Sequence, residues 1–332
     1  MQGKQSRAAS IGVVIRSLNE EQHIGRLLTG LSHQTVRPDE IVLVDSGSTD
    51  ATVEIAARFG ARIETIAPAD FSFGRSLNLG CKALDTDVLV IASAHVYPLY
   101  DSWIEHLVRP LERPEVALSY GRQVGDHRTK FSEQRLMLRW FPAQSTPTQT
   151  HPFCNNANAA VRRKVWAELP YDEELTGLED LDWARRAMAR GHLLSYVAEA
   201  PVVHVHEESW QRLRDRYRRE AIAHKRIYED QQMSAVEAVG LGVRHTIADY
   251  ASAARRGALL RNLVAIPSFH AAQFLGAYQG FAQVGDVPAS LKRRFYYPVP
   301  DADPGQGAGE IGAAIDYAAH DERRDRVEED HR

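Results

Sequence analysis

The chain has 332 residues, 44% of them apolar and 25% charged, with a formal net charge of −4. That length bounds it to one large core or two modest domains, and the charge balance gives no drive toward nucleic acid. Two cysteines, Cys81 and Cys154, exclude a disulfide framework or a thiolate metal cluster and fit a reducing compartment. With no signal-peptide core in the first ten residues and no apolar run of transmembrane length, the expected setting is the cytoplasm, including the inner face of a membrane.

Residues 11–15 are a short apolar run, read as the first strand. Ser17-Leu18-Asn19-Glu20-Glu21 follows as a turn and helix start with Asn19 as N-cap. Ile24, Leu27, Leu28 and Leu31 then share one helix face. A second strand at 40–45 stops at Asp45, turns through Ser46-Gly47-Ser48 and leads into a helix near 50–59. Strand three lies near 61–66, a loop carries Phe71 and Phe73, and a helix runs from Arg75 to Leu84. Strand four, 87–92, is almost wholly apolar, as a central parallel strand should be. A helix at 101–112 and a strand at 116–121 come next. Residues 122–152 are polar and rich in Pro, Thr and Gln, and read as a structureless functional lid. A strand at 153–161, a short helix to 169, a helix at 178–190 stopped by Gly191, strands at 193–198 and 201–205, and a charged helix at 208–229 complete the pattern. Residues 1–10 and 301–332 read as disordered tails.

This alternation predicts an α/β fold with a doubly wound, mostly parallel sheet. Ligands of such sheets gather at the carboxyl ends of strands, which makes Asp45 a candidate ligand contact. On that stretch alone, an equal reading is that Asp45 and Asp50 only build the turn and cap the helix. The first turn lacks G-x-G-x-x-G and carries Glu20 and Glu21 where dinucleotide folds bind a pyrophosphate. Two carboxylates there repel a diphosphate, which argues against a nicotinamide dehydrogenase and favours a nucleobase or ribose.

Three blocks in order resemble family 2 glycosyltransferases of the GT-A fold: Val14-Ile15-Arg16-Ser17-Leu18-Asn19-Glu20-Glu21, Asp45-Ser46-Gly47-Ser48-Thr49-Asp50, and Gly177-Leu178-Glu179-Asp180-Leu181-Asp182. Phe73-Gly74-Arg75-Ser76-Leu77-Asn78, Tyr120-Gly121-Arg122-Gln123 and Glu179-Asp180-Leu181-Asp182-Trp183-Ala184 resemble the rhamnosyltransferase-like branch. The resemblance covers residues 11–230. It implies a nucleotide-sugar half at 11–121 and an acceptor and catalytic half at 122–230, with 231–300 as a C-terminal helical extension. It places Ser17, Asn19, Glu20, Asp45 and Ser46 around the base and ribose, and Gly74, Arg75 and Asn78 near the diphosphate-sugar. One departure matters. Strand four ends Ile91-Ala92-Ser93-Ala94-His95, where the family carries an Asp-x-Asp motif whose last carboxylate holds a divalent metal. His95 takes the matching position, with Ser93 beside it on the donor side. His204 and His206 fall on one side of a strand by alternation. Imidazoles suit Mn²⁺ or another transition ion and suit Mg²⁺ poorly. The metal-holding reading and one in which these histidines only hydrogen-bond the diphosphate or the core stand even.

The chemistry implied is inversion at an anomeric carbon. Asp180 matches the carboxylate of the family's E-D motif and is the expected general base. Glu179 is expected to face elsewhere, since helix neighbours diverge by about 100°. The competing reading is that Glu179, Asp180 and Asp182 only complement the helix N-terminus. Cationic candidates for the leaving diphosphate are His95, Arg75, Arg122, His204 and His206; Arg218 and Arg219 are set aside as part of a solvated charge run. Asn156, at the end of a predicted strand, orients sugar hydroxyls or pairs with backbone. Trp183 stacks on an acceptor sugar or packs in the core. Residues 234–297 form either a basic amphipathic membrane-surface element or helices packed on the catalytic domain. The expected function is transfer of a sugar from a nucleotide-diphosphate sugar to a glycan or lipid-linked acceptor, in surface polysaccharide or glycoconjugate synthesis. Two rivals are a non-catalytic nucleotide-sugar-binding protein that has lost its metal motif, and a sugar-phosphate nucleotidyltransferase. Leu18-Asn19-Glu20-Glu21 argues against the latter, because that class needs a Gly-rich basic loop there.

Overall fold

The computed structural model describes residues 9–296. The tails expected to be disordered therefore lie outside the described residues, apart from Ala9 and Ser10. The first half follows the predicted alternation: β1 (Ile11–Ser17), α1 (Ile24–Ser32), β2 (Glu40–Asp45), α2 (Thr52–Arg58), β3 (Arg62–Thr65), α3 (Phe73–Ala83) and β4 (Val88–Ser93). Next come β5 (Val96–Pro98), α4 (Trp103–Val108), β6 (Val116–Val124), α5 (Phe131–Trp140), β7 (Asn158–Arg162), α6 (Arg163–Glu168), α7 (Glu179–Ala189) and β8 (Leu193–His204). Four helices close the described chain: α8 (Trp210–Ile227), α9 (Ala235–Arg255), α10 (Ala265–Phe281) and α11 (Ala289–Tyr296).

The strands form one sheet in the order β3-β2-β1-β4-β7-β6-β8-β5. β3, β2, β1 and β4 are parallel neighbours, as are β6 and β8. β7 runs antiparallel to both β4 and β6, and β5 antiparallel to β8. β1 and β4 are apolar because helices cover both faces. Val13 and Ile15 join Ile24, Leu27 and Trp103 on one side, while Val14 joins Leu77, Cys81 and Trp183 on the other. The period of two is the strand's own, since successive side chains point to opposite faces.

Three sequence expectations change. The stretch 122–152 is not structureless: α5 lies inside it. Met137 and Glu133 on α5 are buried, and Leu136 packs with Leu213 and Phe269. Residues 153–157 are a loop rather than strand. The Gln149 amide donates to the carbonyls of His151 and Phe153, and the Asn155 side chain accepts from the Ala157 N–H at 2.9 Å. The strand therefore begins at Asn158 instead of at residue 153. The two late strands are one, β8, in which Pro201 sits where the pairing with β6 skips from Val197 to Val202. Proline has no N–H for a ladder and is tolerated at such an irregularity.

The C-terminal extension packs on the sheet domain through α8. A Cβ on Gly276 would lie 2.2 Å from the Arg214 carbonyl oxygen, so only glycine lets α10 approach α8 this closely. Among the described residues, no helix is long and apolar enough to cross a membrane.

Candidate active site

Strand register sets a row of side chains along one edge of the sheet. Ser17 lies opposite Asp45, and Arg16 opposite Ser93, at the carboxyl ends of β1, β2 and β4. Because β7 is antiparallel, its first residue, Asn158, pairs with Ala92 and brings the 155–157 loop to the same edge.

The loops after β1 and β2 are laced together. Asn19 N–H donates to Ser48 Oγ at 2.9 Å, and the Asn19 side chain accepts from Thr49 N–H at 2.8 Å. Asn19 has φ +54° and is not the N-cap of α1, which begins at Ile24. Glu21 bonds both Asp50 and Ala51 across the same gap, Glu21 N–H to Asp50 Oδ2 and Ala51 N–H to Glu21 Oε2. Asp45 Oδ2 accepts from the N–H groups of Gly47 and Ser48, both at 3.0 Å, and Oδ1 accepts from the hydroxyls of Ser48 and Ser17. Four donors fill a carboxylate. The contacts of Asp45 are thus those of the turn-building reading. Ser46 Oγ donates to the Ser17 carbonyl at 3.0 Å and ties the strand ends together.

Beyond β4, three imidazoles converge. One ring nitrogen from each of His95, His204 and His206 lies within 4.8 Å of the others. Each Nδ1 faces an acceptor: His95 to Glu20 Oε1 at 2.8 Å, His204 to Gln123 Oε1 at 2.7 Å, His206 to Glu133 Oε1 at 2.7 Å. A carboxylate or amide oxygen takes the Nδ1 proton, so each neutral ring presents a bare Nε2 lone pair. His204 Nε2 and His206 Nε2 are 2.9 Å apart, and two lone pairs at that distance repel unless a cation lies against them. Ser93 Oγ is 3.2 Å from His95 Nε2. Burial by itself would lower the His95 pKa, but the Glu20 carboxylate outweighs it and holds the ring above its usual value. Burial, then His206 and His95, push His204 well below. Glu133 is driven down to about 2: burial would raise it, but His206 and Arg216 prevail. Arg216 Nη2 is 2.7 Å from Glu133 and 2.8 Å from Glu208. Three imidazoles, each oriented by an outer acceptor, are a donor set that suits a borderline transition ion.

A second cluster adjoins the first at the start of α7. Asp180 Oδ2 accepts from Asn156 N–H at 3.1 Å and Oδ1 from Leu181 N–H at 2.8 Å. Glu179 does not face elsewhere: its carboxylate is buried, 3.4 Å from Asn156 Nδ2 and 3.5 Å from Arg16 Nη1. Burial and then the Glu179 charge raise the Asp180 pKa from its ordinary value to about 7, against the pull of the two N–H groups and Arg16. Arg16 and Arg219 both lie over the Phe73 ring, 4.7 Å from its centroid. Arg16 Nε and Nη1 and Arg219 Nε are buried and make no hydrogen bond among the described residues. Guanidinium N–H groups that make no hydrogen bond are ready donors for an anion.

Several expected site residues are spent elsewhere. The Asn78 amide makes four hydrogen bonds to protein: Nδ2 to the Tyr171 carbonyl and Glu173, Oδ1 from Trp166 Nε1 and Tyr171 N–H. Arg75 pairs with Glu173 at 2.9 Å. A Cβ on Gly74 would fall 2.0 Å from the Asp172 carbonyl oxygen. All three residues therefore dock α3 on the 171–173 loop. Trp183 is fully buried, with Nε1 donating to the Leu169 carbonyl, so it packs in the core and cannot stack on a sugar. Asn156 grips Glu179 and Asp180, and its Oδ1 accepts from the Tyr171 hydroxyl at 3.4 Å. Arg122 lies toward Tyr196, while its neighbour Gln123 meets the histidines. Arg16, Gln123, Glu133 and Arg216 escape the sequence reading, and Arg219, set aside there as part of a solvated run, lies against Phe73 instead. Arg16 had a usable signal, a charge at the carboxyl end of a buried parallel strand.

The fold has a solved counterpart. The mannosyltransferase PcManGT of Pyrobaculum calidifontis, in complex with GDP-Man and Mn²⁺, matches with a TM-score of 0.60 over 83% of this chain and 88% of that one, at 17% identity. The molecule is a GT-A fold protein. The model of glycosyl transferase family 2 matches residues 12–169. O-antigen chain rhamnosyltransferase RfbN of Salmonella typhimurium is 30% identical over 222 residues, 62% of this chain and 70% of RfbN. O-antigen chain rhamnosyltransferase WbaN of Salmonella anatum is 28% identical over 185 residues, 52% of this chain and 58% of WbaN. The chain belongs to glycosyltransferase family 2.

Proposed function

We propose that the chain is an inverting glycosyltransferase. It moves a hexosyl or deoxyhexosyl group from a nucleotide-diphosphate sugar to a hydroxyl of a glycan or lipid-linked acceptor, in synthesis of a surface polysaccharide or other glycoconjugate. Residues 11–230 form the catalytic domain in this reading, and 231–296 its extension, working at the cytoplasmic side of a membrane. The carrying observation is Asp180 at the carboxyl edge of the sheet, held by the Asn156 and Leu181 N–H groups beside Glu179, the Arg16 and Arg219 side chains and three convergent imidazoles.

In this reading the acceptor hydroxyl gives its proton to Asp180. Its oxygen bonds to the anomeric carbon, and the bond from that carbon to the diphosphate oxygen breaks on the opposite face. The electron pair leaves with the nucleoside diphosphate. A base with a pKa near the working pH is the efficient one. Arg16 and Arg219 direct N–H groups toward the charge that develops on the leaving diphosphate. His95, His204 and His206 would hold a divalent ion of the Mn²⁺ kind, which when bound supplies positive charge to the diphosphate. Glu20, Gln123 and Glu133 fix the ring orientations. Ser17, Asn19 and Ser46 border the nucleoside side of the cleft, with Asp45 shaping their loop.

The test is a panel of nucleotide sugars with Mn²⁺, Mg²⁺ or chelator, scored for binding and for slow donor hydrolysis. Binding with Asp180-dependent hydrolysis is expected. Failure to bind any donor overturns the reading, and binding without turnover favours a non-catalytic nucleotide-sugar-binding protein.

A further inference from the structure

The outward face of α9 is apolar. Val236, Val239, Val243 and Ile247 share one helix face and are 55–83% exposed. Gly240, Ala251 and Ala254 extend that face. The opposite side carries the buried Ala238, Asp249, Ser252 and Ala253, with Asp249 bonded to His270 of α10 at 2.9 Å. The Tyr250 hydroxyl donates to the Leu263 carbonyl at 2.6 Å and holds the following segment against the C-terminal half of α9. In that segment Leu260, Leu263 and Val264 are 50–88% exposed. Seven of the thirteen exposed large apolar side chains among the described residues thus lie between positions 236 and 264. That concentration is a patch rather than ordinary scatter.

Charge is segregated in the same stretch. Positions 236–285 hold four arginines, Arg244, Arg255, Arg256 and Arg261, and two carboxylates, Asp249 and Glu237, the latter bonded to Ser234 in the capping box of α9, in a chain whose net charge is −4. Asp249 is buried between His270 and Arg135, so it presents no charge at the surface. All four arginines are exposed. Arg244 and Arg255 share one flank of α9, about 90° from the apolar stripe, and Arg256 and Arg261 border the Leu260–Val264 patch.

We propose that this face docks on an anionic lipid surface, the apolar stripe entering the boundary between headgroups and acyl chains and the arginines meeting lipid phosphates. A second copy of the chain is the poorer partner. In a two-fold contact the patch meets itself, arginine rim against arginine rim, with four exposed arginines against one exposed carboxylate in 236–285, Glu237, which is already bonded to Ser234. The docking stands apart from the transferase reading and deepens it, because a lipid-linked acceptor is presented at such a surface.

The experiment is co-sedimentation of the full chain with vesicles of phosphatidylcholine alone and of phosphatidylcholine with phosphatidylglycerol. Binding to the anionic vesicles, weakened by salt, is expected. The Val243→Asp/Ile247→Asp and the Arg255→Glu/Arg256→Glu/Arg261→Glu variants, all at exposed positions with thermal melting as a control, should each bind at least about tenfold more weakly. Equal binding by both variants overturns the proposal. So does absence of binding to anionic vesicles, or a concentration-dependent dimer in sedimentation velocity that Val243→Asp/Ile247→Asp abolishes. Donor hydrolysis in vesicle-free buffer should be retained by both variants, so failure of the docking and failure of the transferase reading are read separately.

Discussion

The backbone N–H of Asn156 donates to Asp180 Oδ2 at 3.1 Å, and the side chain of the same residue reaches Glu179 at 3.4 Å. One residue from the loop before β7 therefore holds two adjacent carboxylates in register. If Asp180 takes the acceptor proton, Asp180→Asn should lower kcat by about 10²- to 10⁴-fold, with donor affinity nearly unchanged. Asn156→Ala keeps the backbone donor to Asp180 and loses the side-chain bonds to Glu179 and from the Tyr171 hydroxyl, so its effect on kcat should be much smaller. Steady-state kinetics of the two variants on a common donor separate a proton-accepting group from one that merely supports the helix start.

The raised Asp180 pKa has a pH signature in both rate and stability. Activity should rise with pH and level off above about 7, as the carboxyl ionises. For stability the sign is opposite. The folded carboxyl keeps its proton to higher pH than the unfolded one, so from about pH 4 to 7 the folded chain binds more protons and the contribution of Asp180 to stability falls across that window. Melting temperature measured across that window should therefore slope downward less in Asp180→Asn than in the parent chain.

The fold was legible where one pattern dominated. The apolar runs of β1, β2 and β4 and the helix face from Ile24 to Leu31 fall where expected, because burial on both faces of a sheet leaves little choice of residue. α5 was hidden because its partners, Leu213 and Phe269, are distant in sequence and it lies in a stretch that is polar and rich in Pro, Thr and Gln on either side. At the site, Asp180 and the histidines were legible as titratable residues in motifs. Gln123 and Glu133 were not, since their roles come only from the ring nitrogens they face. Arg219 lies in a run of charge that reads as solvated, yet the turn of α8 lays it on Phe73.

The Phe73–Asn78 segment is a fold junction, and its substitutions should report on stability. Gly74→Ala places a methyl against the Asp172 carbonyl oxygen, 2.0 Å away without movement. Backbone cannot yield as a flexible side chain does, so a loss of about 1–3 kcal/mol is expected. Asn78→Ala strands Tyr171 N–H and Trp166 Nε1, both buried, at about 1–3 kcal/mol for the unsatisfied groups. Urea titration should detect both losses. Nucleotide affinity measured well below the transition should be unchanged, and a selective loss of affinity in Asn78→Ala would return that residue to the ligand.

The three imidazoles make a prediction that does not depend on turnover. Calorimetric titration of the intact chain with Mn²⁺ and Zn²⁺ should show one site, and Mg²⁺ should bind far more weakly, because a nitrogen donor set suits the transition ions. His204→Ala removes a ligand and should abolish that site. Glu133→Gln is the more telling change. It leaves all three rings in place but weakens the acceptor that orients His206 and raises its basicity, so affinity should fall by about 10- to 100-fold. Equal affinity in Glu133→Gln would mean that the ion is not held through His206. No binding by the parent chain would leave the 2.9 Å approach of His204 Nε2 and His206 Nε2 to a shared proton. That proton has its own signature: replacing either histidine by alanine would then change the pH dependence of stability without changing its response to added metal.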